Sequence, residues 1–67
     1  MYGQRIKELR IERGFSQTQL AKELNTTQRT ISKYELEQLD LNTPTLIALC
    51  KLFNVTADYL LGLTDNY

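Results

Sequence analysis

Residues 16–35, Ser16-Gln17-Thr18-Gln19-Leu20-Ala21-Lys22-Glu23-Leu24-Asn25-Thr26-Thr27-Gln28-Arg29-Thr30-Ile31-Ser32-Lys33-Tyr34-Glu35, decide how this 67-residue chain folds. Ser16 can accept a hydrogen bond from a first-turn N–H while Gln19 reaches back to it, a capping box that starts a helix. Phe15 and Leu20 flank that cap at the spacing of a hydrophobic staple. Leu20, Ala21 and Leu24 then share one helical face, and the small Ala21 lets a second helix cross closely. Asn25 tolerates positive φ and can end the helix where glycine usually does. Thr27 caps a second helix that buries Ile31 and Tyr34, which leaves Gln28, Arg29, Ser32 and Lys33 on its outer face. The stretch is two short helices joined by a tight turn.

The pattern Gln17-x-x-Leu20-Ala21-x-x-Leu24-Asn25-x-Thr27-x-x-x-Ile31-Ser32-x-Tyr34-Glu35 resembles the lambdoid repressor/Cro type of helix-turn-helix, the xenobiotic-response-element family. Arg5-Ile6-Lys7-Glu8-Leu9-Arg10 upstream and Pro44 through Leu61 downstream are also similar to that family, so the likeness covers nearly the whole chain. It implies a lambda-repressor-like DNA-binding domain and a partner of double-stranded DNA. It also implies an internal ion bridge from Arg10 to Glu35, tying the first helix to the end of the recognition helix.

Outside the central stretch the signals are helical as well. Residues 4–13 read as a first helix with Ile6 and Leu9 inward, stopped by Gly14. Thr43 caps a fourth helix over 44–53, with Pro44 in its first turn and Leu46, Leu49, Cys50 and Phe53 on one face. Thr56 caps a short fifth helix over 57–61, stapled by Val55 and Leu60 and ended by Gly62. The expected fold is all-α, a compact five-helix bundle spanning 1–63 with a frayed tail at 64–67.

Composition narrows the function. A hydrophobic content of 42% argues against disorder. No apolar run is long enough for a membrane span and no signal-peptide pattern is present, so a cytoplasmic location is expected. The net charge is zero, yet it is unevenly spread. Residues 1–34 hold seven Lys/Arg against three acids, and residues 35–67 hold Lys51 alone against five acids. Positive charge collects in the half that carries the motif, as a polyanion-facing side requires.

Catalysis is disfavoured. The chain has no histidine, and its one cysteine, Cys50, sits on the apolar face of a helix, which fits core packing better than nucleophilic chemistry. A lone cysteine makes neither an intrachain disulfide nor a zinc site. No metal, cofactor or small-molecule ligand is expected.

Under the resemblance, the helix at 28–35 enters the major groove with its amino end deepest. Gln28 can pair with adenine N6 and N7 and Arg29 with guanine O6 and N7, each about 1–3 kcal/mol of discrimination. Lys33 reaches guanine or a phosphate, and the methyls of Thr27 and Thr30 reach thymine. Gln17, Ser32, Asn42 and Thr43 are the expected phosphate contacts, with the amides at the starts of two helices beside them. On an isolated helix such side chains are ordinary solvated surface, and it is the surrounding motif that gives them a partner.

One segment departs from the family. After Tyr34-Glu35 the family commonly has a glycine and then basic residues that track the DNA backbone. Here Leu36-Glu37-Gln38-Leu39-Asp40-Leu41-Asn42-Thr43-Pro44 has neither glycine nor any cation. Its leucines either complete the core or, with Tyr59, Leu61 and Leu63, some of them form a two-fold contact. Leu39, Leu41, Tyr59 and Leu61 are therefore the expected residues of a homodimer. The competing function is a protein-interaction module, an antitoxin or anti-regulator gripping its partner through the leucine-rich, acidic half. A further possibility is the DNA-binding piece of a longer regulator, continuing beyond Gly62.

Overall fold

A computed structural model of the chain describes residues 2–66. Side-chain oxygens start four of its five helices. Ser16 Oγ accepts from the Gln19 N–H at 3.0 Å while Gln19 Oε1 accepts from the Ser16 N–H at 2.8 Å, and α2 follows over Gln17–Glu23. Thr27 Oγ1 accepts from the Thr30 N–H at 3.2 Å and opens α3, Gln28–Glu35. Thr56 Oγ1 accepts from the Tyr59 N–H at 3.1 Å and opens α5, Ala57–Leu60. These caps satisfy donors that the first turn of a helix cannot pair internally.

The fourth helix starts one residue earlier than the sequence predicts. Asn42, rather than Thr43, is its cap: Asn42 Oδ1 accepts from the Thr45 N–H at 2.9 Å, and α4 runs over Thr43–Phe53 with Pro44 in its first turn. Asparagine and threonine cap comparably well. With both present side by side, the local sequence does not separate them. Helix α1, Tyr2–Glu12, begins and ends a little before the expected 4–13 and has no acidic residue in its first turn. Gly14 follows at φ +80°, a left-handed turn that would strain any residue with a Cβ. Asn25, at φ +54°, makes the equivalent turn after α2.

Helix α3 packs against both α2 and α1, while α5 packs against α4 and α1. The centre is formed by Ile6 and Leu9 of α1, Leu20 and Ala21 of α2, Ile31 and Tyr34 of α3, Leu49 and Phe53 of α4, and Leu60 of α5, all buried. Phe15 joins this centre from the α1–α2 turn, its ring 6.4 Å from that of Phe53. Arg13 donates to the Phe53 carbonyl at 2.9 Å and secures the end of α4 to the end of α1. Among the described residues there is no strand, and no helix is long and apolar enough to cross a membrane.

The tail is less loose than its composition predicts. Arg5 of α1 donates to the Thr64 carbonyl at 3.4 Å and to the Asp65 carboxylate at 2.7 Å, and its guanidinium lies 4.2 Å from the centre of the Tyr59 ring. Thr64 and Asp65 are thus tied back to α1, whereas Tyr67 lies outside the described residues. Burial raises the pKa of the Cys50 thiol on the half-buried flank of α4.

Candidate nucleic-acid interface

The amino end of α3 and the amino end of α2 meet on one side of the bundle. There Gln28 Nε2 donates to Gln17 Oε1 at 2.6 Å, and Gln17 Nε2 donates to Glu35 Oε1 at 3.0 Å. Glu35 is held from beneath by Arg10, whose Nε donates to Oε2 at 2.6 Å and whose Nη2 donates to Oε1 at 3.4 Å. Arg10 Nη1 finishes the network on the Phe15 carbonyl at 3.0 Å. The ion pair is well shielded, with side-chain exposures of 12% for Arg10 and 4% for Glu35. A chain of bonds therefore runs from a buried charge pair, through Gln17, to an exposed glutamine on α3.

Part of the expected phosphate set also has partners inside the chain. Gln17 has an intramolecular partner on each end of its amide, so it orients Gln28 and keeps one N–H for an outside acceptor. Asn42 uses its side-chain oxygen as the α4 cap, and Thr43, in the first turn, is exposed. Ser32 is half-buried and lines a polar hollow of about 310 Å³ with Gln4, Lys7, Gln17, Glu35 and Leu36. Gln4 and Lys7 are site neighbours that the sequence reading missed. Their spacing with Arg10, every third residue along α1, is the signal that places all three on one helical face.

The remaining residues of α3 are available. Thr27, Gln28 and Arg29 are exposed, and Lys33 is half-buried. Thr27 uses its hydroxyl for the cap and for a 3.0 Å contact with the Thr30 hydroxyl. Arg5, Arg10 and Arg13 all have carboxylate partners, whereas Arg29 and Lys33 have none among the described residues. Arg5, Arg10 and Arg13 brace the fold, whereas Arg29 and Lys33 of α3 are left uncompensated among the described residues.

The four residues of the expected dimer contact divide. Leu39 and Leu61 are exposed, but Leu41 and Tyr59 pack against the core, with Arg5 over the Tyr59 ring. Leu36 and Leu63 are more exposed than either, at 64% and 73%. Exposed apolar side chains thus lie beyond the carboxyl end of α3 and after α5, and also at Ile11 of α1 and Ile47 of α4.

Comparison with known proteins agrees with this architecture. The chain is 43% identical to the HTH-type transcriptional regulator ImmR of Bacillus subtilis over 60 residues, which is 90% of this chain and 47% of that protein. It is 35% identical over 66 residues to the uncharacterized HTH-type transcriptional regulator YobD of the same organism, covering 98% of this chain and 59% of YobD. The chain spans about half the length of these curated relatives. Its structure superposes on that of the P22 c2 repressor in complex with a synthetic operator with a TM-score of 0.83, at 30% identity, covering 90% of this chain and 91% of that one. The helix-turn-helix domain family matches residues 3–66, and the chain belongs to that family.

Proposed function

We propose that this chain is the sequence-specific DNA-binding part of a transcriptional repressor, reading the major groove of double-stranded DNA with α3. The observation that carries this reading is the bonded series Arg10–Glu35–Gln17–Gln28. Gln28 is exposed, yet its amide is already oriented by Gln17. It keeps its carbonyl oxygen and one N–H, the acceptor and donor that adenine N6 and N7 require. Ordering a solvated glutamine costs side-chain entropy, and a tethered one loses less on binding. Arg29 beside it, exposed and without a carboxylate partner among the described residues, suits guanine O6 and N7. Lys33, Ser32 and Lys7 flank this pair and suit phosphate oxygens. Thr27 and the amide groups around Asn42 and Thr43 complete the contact set.

The chain acts as a homodimer on a palindromic operator, with two copies of α3 roughly 34 Å apart. Support comes from the exposed leucines Leu39 and Leu61, apolar surface that a solvated connection does not need. Occupying a promoter requires no further surface, which is why repression is the assigned outcome.

Selection from a random duplex library at two salt concentrations tests the reading. An enriched two-fold motif whose recovery falls steeply with salt is the expected result. Recovery of no motif, with little DNA retained at low salt, would overturn it in favour of a protein partner for the leucine-rich half.

A further inference from the structure

The acidic connection after α3 turns back on α1. Gly3 is buried, and its N–H donates to Glu37 Oε2 at 3.2 Å, so a carboxylate from 34 residues away occupies the amino end of α1. Contact is close enough that a Cβ on Gly3 would clash with the Glu35 carbonyl oxygen and lie 2.8 Å from Glu37 Cγ. Glu37 itself sits at φ +59°, a conformation that residues with a Cβ rarely adopt. It ends α3 with the Gln38 N–H returning to the Lys33 carbonyl at 2.9 Å. Beside it, the Tyr2 hydroxyl lies 3.4 Å from Asp40 Oδ1. Burial and the charges of Asp40 and Glu37 raise the Tyr2 pKa, in keeping with carboxylates that face α1.

We propose that Glu37 and Gly3 form a positioning pair that locks the carboxyl end of α3 to the amino end of α1 and so fixes the angle at which α3 presents Gln28 and Arg29 to DNA. The inference rests on the DNA-reading function proposed above. It explains why a strained glutamate stands where glycine would be free of strain: glycine supplies the turn but no carboxylate for the Gly3 N–H. Gly3 is required because any side chain there would drive the two ends apart. With Arg10 gripping Glu35 about two turns further along α1's own face, α1 holds α3 at two points. A helix held at one point can pivot, and a helix held at two cannot.

The experiment compares the full chain with Glu37→Gly, Glu37→Gln and Gly3→Ala on the wild-type selected site and on an unrelated duplex of equal length. Glu37→Gly folds and melts cooperatively, because relief of the left-handed turn opposes loss of the cap. Its specificity ratio, the unrelated-duplex Kd over the selected-site Kd, falls about fivefold or more, the loss of roughly one base contact. Glu37→Gln keeps an acceptor for the Gly3 N–H and retains the wild-type ratio. Gly3→Ala behaves like Glu37→Gly; if it does not fold, Glu37→Gly alone decides. An unchanged ratio in Glu37→Gly would reduce Glu37 to a helix cap. Equal tightening of Glu37→Gly and Glu37→Gln on both duplexes would make it a simple repellent of phosphate. Either result overturns the positioning role while leaving DNA reading intact, whereas a wild-type chain that enriches no site removes both.

Discussion

The two ends of α3 are held by different kinds of bond. At its carboxyl end Glu35 is nearly inaccessible and is gripped by the Arg10 guanidinium, with bonds of 2.6 and 3.4 Å to its two oxygens. At its amino end the exposed Gln28 is held only by a neutral amide, Gln17. Charge-assisted bonds are roughly twice as strong as neutral ones. The strong bonds therefore lie where the helix must not move. The weaker ones lie where side chains must still reach outward, so one eight-residue helix is rigid at its root and adaptable at its tip.

Breaking the root has the largest effect. Glu35→Ala strands the shielded Arg10 guanidinium and leaves Gln17 without its acceptor, so unfolding free energy should fall by about 3–5 kcal/mol. Denaturant melts of Glu35→Ala and Arg10→Ala check this. If both midpoints match wild type, charge is not what holds the root.

Changing the tip should leave stability alone and alter reading. Arg29→Ala removes an exposed side chain with no carboxylate partner among the described residues, so its melting curve should match wild type. Preference at one base position should weaken by about 1–3 kcal/mol. A base-preference profile identical to wild type would sink the role assigned to Arg29.

Gln17 lies between root and tip and sharpens the comparison. A phosphate contact alone would make Gln17→Ala weaken every sequence alike. As the tether of Gln28, its loss should also blunt preference at the base that Gln28 reads, by about 1 kcal/mol, the scale of one neutral hydrogen bond. The profile distinguishes the two, since a uniform loss leaves its shape unchanged.

What could be read from the sequence follows the range of the forces involved. The bounds of α3 match the expected 28–35 because Thr27 caps it within three residues and Ile31 and Tyr34 mark its buried face. Gly14 and Gly62 signal their turns for the same local reason. The start of α1 was not legible. The carboxylate at its amino end belongs to Glu37, and nothing near Gly3 in the chain announces it. Arg5 likewise ties down residues some 60 positions away. In the site, residue types on the outer face of α3 were legible, but the bonds of Gln17 to Glu35 and Gln28 were not, because folding alone brings those two residues to either end of its amide.

The α4 cap offers the finest test, because two adjacent residues compete for one role. Asn42 Oδ1 accepts from the Thr45 N–H, whereas Thr43 is exposed in the first turn with no side-chain hydrogen bond among the described residues. Asn42→Ala should cost about 1 kcal/mol of stability, as removal of a cap usually does. Thr43→Ala should cost almost nothing, since alanine is the better helix former at an exposed position. Paired melts decide it. A larger loss from Thr43→Ala would return the cap to Thr43 and free the Asn42 amide, oxygen and nitrogen together, for the DNA-facing side of the α3–α4 connection.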